Sequence, residues 1–502
     1  MSAPMSESHQ EHHDQSHAPG TAPRRTLAIG VCIAALLAMA AALAFALSGD
    51  HTAHDTPHAT TAPAFWLLGS IPFVAVLGAI AVFPLIPALA HWWHSNLSRL
   101  LVSVIAALLT LGYIWVALGW HDVGLTLQHA VLEEYVPFII LLFSLYVISG
   151  GIHLGGDLPG RPITNTTILA VGALIASFIG TTGASMLLIR PLLKTNQARS
   201  HKVHTVIMFI FLVSNIGGAL LPIGDPPLFL GYLAGVPFFW TLGLWGPWLL
   251  VIAILLVVYF IWDSILYQRE PEVVRTFDRT DIEPMRLDGW WNLLWLGGVV
   301  CCVAFIQPGK PVPGTTWIAF DFLRELCMLA FVAIGLLTTS NSIRKANRFD
   351  YHAILEVAAI FIGIFIAMQV PLAVLKAEGG EISAQLTEAW MYFWITGGLS
   401  SVLDNAPTYL VFFELAQSAP VGETAVQLQD GKGVIDATLL TAISLGAVFM
   451  GAMTYIGNGP NFMVKAIAEQ SGVKMPSFFG YLLRYAVPVL IPILAIVAFL
   501  ML

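Results

Sequence analysis

The sequence predicts an all-α, polytopic membrane protein made of two inverted repeats, each with a re-entrant hairpin and a broken helix. Three observations predict it: the composition, the distribution of positive charge, and paired Gly/Pro interruptions of apolar segments. Of the 502 residues, 57% are hydrophobic and only 10% are charged, against about 25% charged in a typical soluble domain. A soluble core cannot hide that much apolar surface, so lipid must be the solvent for much of the chain.

The N-terminal region stands apart from the rest. Residues 1–25 are polar and His-rich, and we expect a disordered tail without a defined metal site. Residues 26–47 are apolar and follow Arg24 and Arg25, which fits either an extra N-terminal transmembrane helix or a signal sequence. The four cysteines have no metal-ligand spacing, so we expect no transition-metal site and no cofactor. No basic, aromatic-rich face indicates a nucleic-acid partner.

A series of further apolar segments is long enough to cross the hydrocarbon core of a bilayer. They lie near residues 64–88, 99–119, 134–150, 166–189, 205–234, 244–262, 290–306, 318–338, 354–374, 388–413, 438–468 and 479–501. We predict a first repeat over residues 64–262, a cytoplasmic linker over 263–289 and a second repeat over 290–502.

The fourth of these segments has positive charge at both ends. Arg161 precedes it, and the basic run from Arg190 to Lys202 follows it. A single crossing would place one of these groups outside, against the positive-inside rule. A hairpin that enters and leaves on the cytoplasmic side removes the conflict, with Gly180 and Gly183 supplying the turn. Arg190 and its neighbour Lys194 are then either solvated cytoplasmic anchors, which the sequence favours, or anion ligands.

The 388–413 segment shows the same pattern on the opposite face. No lysine or arginine lies between Lys376 and Lys432, and Asn405–Pro407 mark the predicted tip. With both hairpins assigned, all but four of the 22 basic residues fall on the cytoplasmic side. The exceptions are Lys310, Arg324, Lys376 and Lys432. This asymmetry predicts a multi-pass protein of the bacterial inner membrane with a periplasmic C-terminus.

Two pairs of similar sequence segments support the predicted repeats. His129–Glu133 resembles His352–Glu356, and each stretch is predicted to begin the third helix of its half. The interrupted helices align as Gly218-Ala219…Gly224-Asp225-Pro226-Pro227 and Gly451-Ala452…Gly457-Asn458-Gly459-Pro460. Inverted repeats with paired broken helices are the best sequence indication of a secondary transporter and of its binding site at the membrane midplane.

Non-helical backbone at membrane depth must be buried in protein or line a wet cavity, so the hairpin tips and helix breaks should meet. Their carbonyl, hydroxyl, amide and carboxylate oxygens suit a small hard cation such as Na⁺, whereas free N–H groups at helix starts suit an anion. The predicted ion-binding residues are Thr181, Thr182, Gly183, Ser185, Ser214, Asn215, Gly218, Asp404, Asn405, Thr408, Thr454, Gly457 and Asn458.

Four acids are candidates for proton titration. Asp404 comes first because an ionisable group in an apolar segment is costly, and its alternative role is a hairpin cap. Asp225 is equally a turn former where a helix ends, and Glu133 and Glu356 are equally interfacial charges. Desolvation lets a buried carboxylate hold a proton near neutral pH. A Na⁺ ion at the same oxygens displaces that proton, which is sufficient for exchange when access alternates.

The motifs Gly180–Pro191, Ser214–Gly218, Gly224–Pro227 and Leu403–Pro407 resemble the ion transporter superfamily. Within it they are most similar to bacterial sodium:proton antiporters of the NhaD-like, citrate-transporter-domain group, over about residues 64–502. The resemblance implies a homodimer with the early helices as scaffold, and Asp404 and Asn405 as an ion-binding pair. The tips depart from the Ser-Asn-Thr pattern of the superfamily's carboxylate carriers, which favours Na⁺/H⁺ exchange.

Two other functions stay open. A di- or tricarboxylate (citrate-like) carrier of the same fold is the main alternative. An intramembrane aspartyl protease using Asp225 and Asp404 is a distant one, since the segment reads Pro-Ile-Gly-Asp. An ATP-driven pump is disfavoured because no GxxxxGK[ST] loop is present. We therefore expect a transporter rather than an enzyme, with membrane lipid and small ions as its partners.

Overall fold

The computed structural model describes residues 65–273, 275, 284–422 and 424–501. The predicted tail (1–25) and the 26–47 segment lie outside these ranges, as does most of the predicted linker. In the described residues, helices dominate and strands occur only as two short antiparallel ribbons.

The first half begins with three apolar helical stretches, continues into two helices joined by one residue, and ends with a broken helix and a long final helix. Its elements are α1 (Trp66–Val82), α2 (Pro87–Trp93), α3 (Asn96–Ala117), α4 (Trp120–Leu127), a π-helix (Gln128–Tyr135), α5 (Val136–Ser149), β1 (His153–Gly155), α6 (Pro162–Ile179), α7 (Thr181–Thr195), α8 (Val203–Leu212), a 3₁₀-helix (Ile216–Leu220), α9 (Pro226–Leu233), a second 3₁₀-helix (Phe238–Leu244) and α10 (Trp245–Gln268).

The second half also contains a hairpin, a broken helix and a final helix. Its elements are β2 (Arg286–Asp288), α11 (Trp291–Phe305), α12 (Leu323–Thr338), α13 (Asn341–Ala346), α14 (His352–Ala367), α15 (Gln369–Ser383), α16 (Ala389–Ser400), α17 (Asn405–Gln417), β3 (Ala425–Gln427), a 3₁₀-turn (Gln429–Gly431), β4 (Val434–Asp436), α18 (Ala437–Met450), a 3₁₀-turn (Gly451–Met453), α19 (Gly459–Gln470), α20 (Phe478–Tyr481), a π-helix (Leu482–Ala486) and α21 (Val487–Met501).

Eight helical stretches in the described residues are long and apolar enough to cross a membrane. They are Trp66–Leu85, Asn96–Ala117, Trp120–Ser149, Pro162–Ile179, Val203–Leu220, Phe238–Gln268, His352–Ser383 and Phe478–Met501. Many of their large apolar side chains, such as Leu67, Leu108 and Phe499, are exposed, as expected when lipid is the solvent. The chain is an all-α polytopic membrane protein, as predicted.

Both hairpins turn at slightly different residues from those predicted. In the first, Gly180 alone makes the turn, with φ +77°, and α7 begins at Thr181. Gly183 therefore lies inside α7, where its small size lets the helix approach Ser149. In the second, the chain turns between Ser400 and Asn405, so that Asn405–Pro407 form the first turn of α17 rather than the tip.

Three other predicted boundaries are corrected. His129 lies in a π-helical segment inside a continuous stretch from Trp120 to Ser149, whereas His352 does begin a helix. Asp225 precedes α9 at its N-cap position, without a side-chain capping hydrogen bond, because Pro226 and Pro227 favour the first turn of a helix over its end. Helix α10 continues to Gln268, into the predicted linker.

The broken helices follow from their glycines and prolines. Helix α8 stops at Leu212 and α9 starts at Pro226; helix α18 stops at Met450 and α19 starts at Gly459. Proline at the first or second position of each restarted helix removes an N–H that has no helical partner. Each half-helix packs on the hairpin of the other half: α9 on α17, and α19 on α7. This exchange brings four chain interruptions to one place in the core.

Candidate functional site

Asp225 is the centre of the site. Its side chain is 1% exposed, and it accepts hydrogen bonds from one residue of each of the other three interruptions. Oδ1 accepts from the Thr181 hydroxyl at 2.9 Å and from Asn458 Nδ2 at 2.9 Å, and Oδ2 accepts from Asn405 Nδ2 at 2.8 Å. One carboxylate therefore holds both hairpin tips and both helix breaks together.

An amide chain extends from this carboxylate across the two halves. Asn458 Nδ2 also lies 3.2 Å from Asn215 Oδ1 and from the Ser214 carbonyl. Asn215 Nδ2 donates to Asn461 Oδ1 at 2.6 Å and to the Ile210 carbonyl at 2.8 Å. Asn461 in turn donates to the carbonyls of Gly451 and Thr454. Each break is thus held by amides that satisfy its freed carbonyls.

Each helix break contains one pair of glycines whose backbones are in close contact. A Cβ on Gly224 would collide with the Gly218 carbonyl, and a Cβ on Gly457 would lie 2.6 Å from the Gly451 carbonyl. Real Cβ atoms do not approach backbone this closely, so both breaks need glycine for contact rather than for unusual φ. The pairs occupy matching places in the two halves.

A serine near the end of the first helix of each hairpin also occupies a matching place in the two halves. Ser177, four residues before Thr181, donates to the Gly217 carbonyl at 2.6 Å. Ser401, four residues before Asn405, donates to the Met450 carbonyl at 3.2 Å. Each hydroxyl ties a hairpin to the break of its own half. These serines were missed from the sequence, although their fixed spacing from the tip residues was a detectable signal.

Asp404, the leading candidate from the sequence, does not lie at the centre of the hydrogen-bond network around Asp225. It caps α17, with Oδ1 accepting from the Ala406 N–H at 3.1 Å, and its carbonyl accepts from the Thr408 hydroxyl. It is half-buried rather than enclosed. The geometry therefore favours Asp225 as the central carboxylate, while an ion-binding role for Asp404 stays a prediction.

The other predicted ligands divide into two groups. Ser185 and Ser214 share a hydrogen bond at 2.8 Å between their hydroxyls, one turn from Thr181, and Gly218 packs against the Thr181 methyl. Thr454 serves the second break, with its hydroxyl donating to the Ser401 carbonyl and accepting from the Gly457 N–H. Thr182 is half-buried beside Thr181.

Glu133 and Glu356 lie on other helices in pairs of their own. Glu356 forms a 2.9 Å ion pair with Arg99 of α3. Glu133 pairs with His129 at 3.0 Å within the π-helical segment. The structure therefore places these two acids apart from the Asp225 hydrogen-bond network, and their titration during transport stays a prediction.

A buried polar network at the foot of the first hairpin was missed from the sequence. Asp263 of α10, which is fully buried, pairs with the Arg199 guanidinium at 2.5 Å and with His204 Nε2 at 2.8 Å. Asn165, at the start of α6, donates to the same carboxylate at 3.2 Å. The signal was an aspartate directly after an apolar segment. The network fixes both ends of the hairpin to α10.

The negative charge of the central carboxylate is not compensated by a basic side chain in the described residues. In the described ranges, no lysine, arginine or histidine pairs with Asp225. Asn405 Oδ1 is buried beside this carboxylate and has no hydrogen-bond partner. A buried carboxylate without a cationic side chain is costly, and so is a buried oxygen without a donor. A proton or a small cation at this point would relieve both.

Comparisons with known proteins match this sequence to transporters. The family model described as "Putative citrate transport" matches residues 62–502. An uncharacterized transporter of Mycobacterium bovis is 24% identical over 341 residues, covering 65% of this chain and 74% of the relative. Another uncharacterized transporter, from Mycobacterium tuberculosis, is 25% identical over 288 residues, covering 55% of this chain and 61% of the relative.

Proposed function

The chain belongs to the citrate-transport family whose model covers residues 62–502, and from this premise we propose that it is a secondary transporter that exchanges Na⁺ for H⁺ at Asp225. The proposal places it in the bacterial inner membrane with a periplasmic C-terminus, working as a homodimer and not as an enzyme. One observation carries it: a buried carboxylate joins four chain interruptions without a basic partner.

The chemistry of exchange follows from that carboxylate. Its negative charge, removed from water, is tolerable when a proton or a cation neutralises it. Na⁺ needs several oxygen ligands, and Asn405 Oδ1 and the Thr181 hydroxyl lie at the carboxylate to provide them. A proton binds directly to the carboxylate and needs no other oxygen ligand. The two occupants exclude each other, so alternating access to the site couples their opposite flows.

A citrate-like carrier is the second candidate, and the description of the family favours it. Four half-helices begin at the site, at Thr181, Pro226, Asn405 and Gly459. The N–H groups at such starts attract anionic groups. In this case Asp225 would repel a bare polycarboxylate, so a cation bound at Asp225 would have to accompany the anion. Both candidates therefore assign the cation to the same oxygens.

The test uses everted vesicles with an imposed ΔpH and a fluorescent pH dye, to which NaCl, LiCl, KCl or sodium citrate is added. We expect NaCl to dissipate the gradient, and Asp225→Asn to abolish the response. Asp404→Asn tests the other aspartate. Asp436→Asn is the matched control, because Asp436 caps α18 in the same way that Asp404 caps α17.

The outcomes separate the candidates. A Na⁺ response lost in Asp225→Asn alone supports exchange at the first break, whereas loss in Asp404→Asn alone would move the site to the second hairpin. Transport that requires citrate together with Na⁺ or H⁺, and that is lost in Asp225→Asn, would replace antiport with cation-coupled anion transport. No response to any salt in the unmodified protein would overturn both candidates.

A further inference from the structure

A separate cavity opens beside the far end of α7, and we call it the basic cavity. It has a volume of about 540 Å³ and lies between the C-terminal half of α7, the β1–β2 ribbon and the end of α13. Cavities of this size suit small ligands. Arg190 lies nine positions after Thr181 on α7, which is about 13 Å along a helix. The basic cavity is therefore distinct from the Asp225 site.

The charged side chains that line the cavity are mainly positive. They are Arg190 and Lys194 from α7 and Arg286 from β2, with Asp288 as the one acidic member. Arg286 is 72% exposed and lies 3.6 Å from Asp288, a loose pair that leaves most of its donors in solvent. Nη1 of Arg190 is buried without a hydrogen-bond partner, although guanidinium N–H groups are strong donors. Arg286 therefore presents donors to the cavity that its loose pair with Asp288 does not use.

His153 adds a histidine whose tautomer is fixed by its neighbour. Asn347 Nδ2 donates to the carbonyls of Gly150 and Ile152, so Asn347 Oδ1 must be the acceptor for His153 Nδ1, at 2.7 Å. The hydrogen of a neutral His153 is therefore on Nδ1. The ring of His153 is thus held in a fixed orientation on the cavity wall by Asn347.

The walls of the cavity are held by close backbone contact. Gly156 has φ +104°, and a Cβ there would lie 2.6 Å from the Pro284 carbonyl. His153 and Asp288 are opposite each other in the β1–β2 ribbon. The donors on β1 and β2 are thus carried by a framework that exists before any ligand binds, which limits the ordering cost of binding.

We propose that the basic cavity binds a phosphate group, held by Arg190, Arg286 and Lys194. Guanidinium groups match phosphate oxygens with paired N–H donors, and a dianion complements the mainly positive side chains that line the cavity. Trp290 and Trp291 follow β2 directly, are exposed and stack with ring centroids 3.6 Å apart. Tryptophan is typical of the headgroup level of a membrane. The phosphate therefore comes either from the cytosol as a free ion or from the headgroup of an anionic lipid.

The experiment measures thermal unfolding of the purified full chain in two arms. In detergent, potassium phosphate is titrated against potassium chloride of equal ionic strength. In nanodiscs, phosphatidylcholine alone is compared with phosphatidylcholine containing phosphatidic acid. The variants are Arg190→Gln and Arg286→Gln, and Lys345→Gln is the control, because Lys345 is an exposed cation next to Ala346 that does not line the cavity.

We expect each arginine variant to need about tenfold more phosphate for the same stabilisation, the effect of losing one charged hydrogen bond, while Lys345→Gln behaves as the unmodified protein. Stabilisation by phosphatidic acid alone, lost in the arginine variants, would identify the lipid as the source. Equal responses in all four proteins, or none in either arm, would overturn the proposal. If Arg190→Gln does not fold, the exposed Arg286 decides the outcome.

Discussion

The two broken helices have matching backbones and differ in one charge. In each, a glycine pair lets the carbonyl of the first residue pack against the second, at Gly218 and Gly224 and at Gly451 and Gly457. In each, the next residue occupies the N-cap position of the restarted helix, and that residue is Asp225 in the first half and Asn458 in the second. The two breaks therefore share a backbone shape, and one of them carries a negative charge at the N-cap position.

On the proposed function, this difference lets two similar helix breaks bind a single cation. Asp225 and Asn458 are nearly isosteric and hydrogen-bond to each other at 2.9 Å. An aspartate at both positions would place two like charges in contact, and only one would ionise. An asparagine at both would leave no group for a proton to titrate. On the proposed function, one of each gives a site for either one Na⁺ or one proton.

Exchanging the two residues tests this comparison most directly and should have the largest effect. We expect Asp225→Asn to abolish Na⁺-dependent exchange, because the variant lacks the carboxylate that would bind the proton or the Na⁺. Asn458→Asp added to it should recover part of the loss, because the carboxylate returns on the other side of the same hydrogen bond. Sodium-dependent dye dequenching in everted vesicles measures both variants.

The single Asn458→Asp variant is the control for the exchange. With two aspartates in contact, it should retain a proton and respond to Na⁺ only at more alkaline pH than the unmodified protein. If the double variant is no better than Asp225→Asn, the two breaks are not equivalent, and the first half alone determines the site.

Alanine at the inner glycine of each break tests the shared backbone. Gly224→Ala and Gly457→Ala each place a Cβ against a carbonyl, and we expect each to lower the free energy of unfolding by about 1–3 kcal/mol, as other overpacked sites do. Gly459→Ala is the control, since nothing lies within 4 Å of its Cβ position. Thermal unfolding in detergent gives the comparison. A loss confined to one half would show that the other break can relax.

Much of the fold was predictable because lipid imposes strong rules on sequence. Apolar length identified the spanning helices, and the charges around Arg161 and Arg190 required a hairpin where hydropathy alone would place a crossing. Turn positions were less predictable. Gly180 and Gly183 look alike in sequence, yet only Gly180 turns the chain, while Gly183 serves close packing against Ser149. Sequence does not distinguish these two uses of glycine.

The sequence identified the motifs that form the candidate site, but it did not identify which aspartate lies at its centre. All four interruptions were identified, and Thr181, Asn405 and Asn458 do meet. Asp404 ranked above Asp225 because a carboxylate in an apolar segment is conspicuous, whereas Asp225 precedes two prolines and resembles a turn. Which aspartate is enclosed depends on how α9 packs on α17 of the other half, and that contact between distant segments leaves no local pattern.

The hairpin-tip donors offer a smaller test of the same asymmetry. Thr181→Val removes the hydroxyl that donates to Asp225 at 2.9 Å while preserving the shape of the side chain. We expect about a tenfold loss of Na⁺ affinity, as for one hydrogen bond to a charged group. Thr408→Val is the matched control, because its hydroxyl donates only to the backbone of its own helix. Equal effects of the two variants on Na⁺-dependent exchange would argue against a direct role for Thr181.

The smallest expected effect concerns the two helix caps. Asp404 caps α17 through the Ala406 N–H, and Asp436 caps α18 through the N–H groups of Thr438 and Leu439. Loss of an N-cap costs about 1 kcal/mol, so alanine at either aspartate should lower the free energy of unfolding by this amount and leave Na⁺ affinity unchanged. Thermal unfolding and vesicle exchange, measured on the same preparations, separate the two properties. A selective loss of exchange in Asp404→Ala, with stability equal to that of Asp436→Ala, would give Asp404 a role in ion binding that capping does not explain, and the charge of the site would then be shared between the two halves.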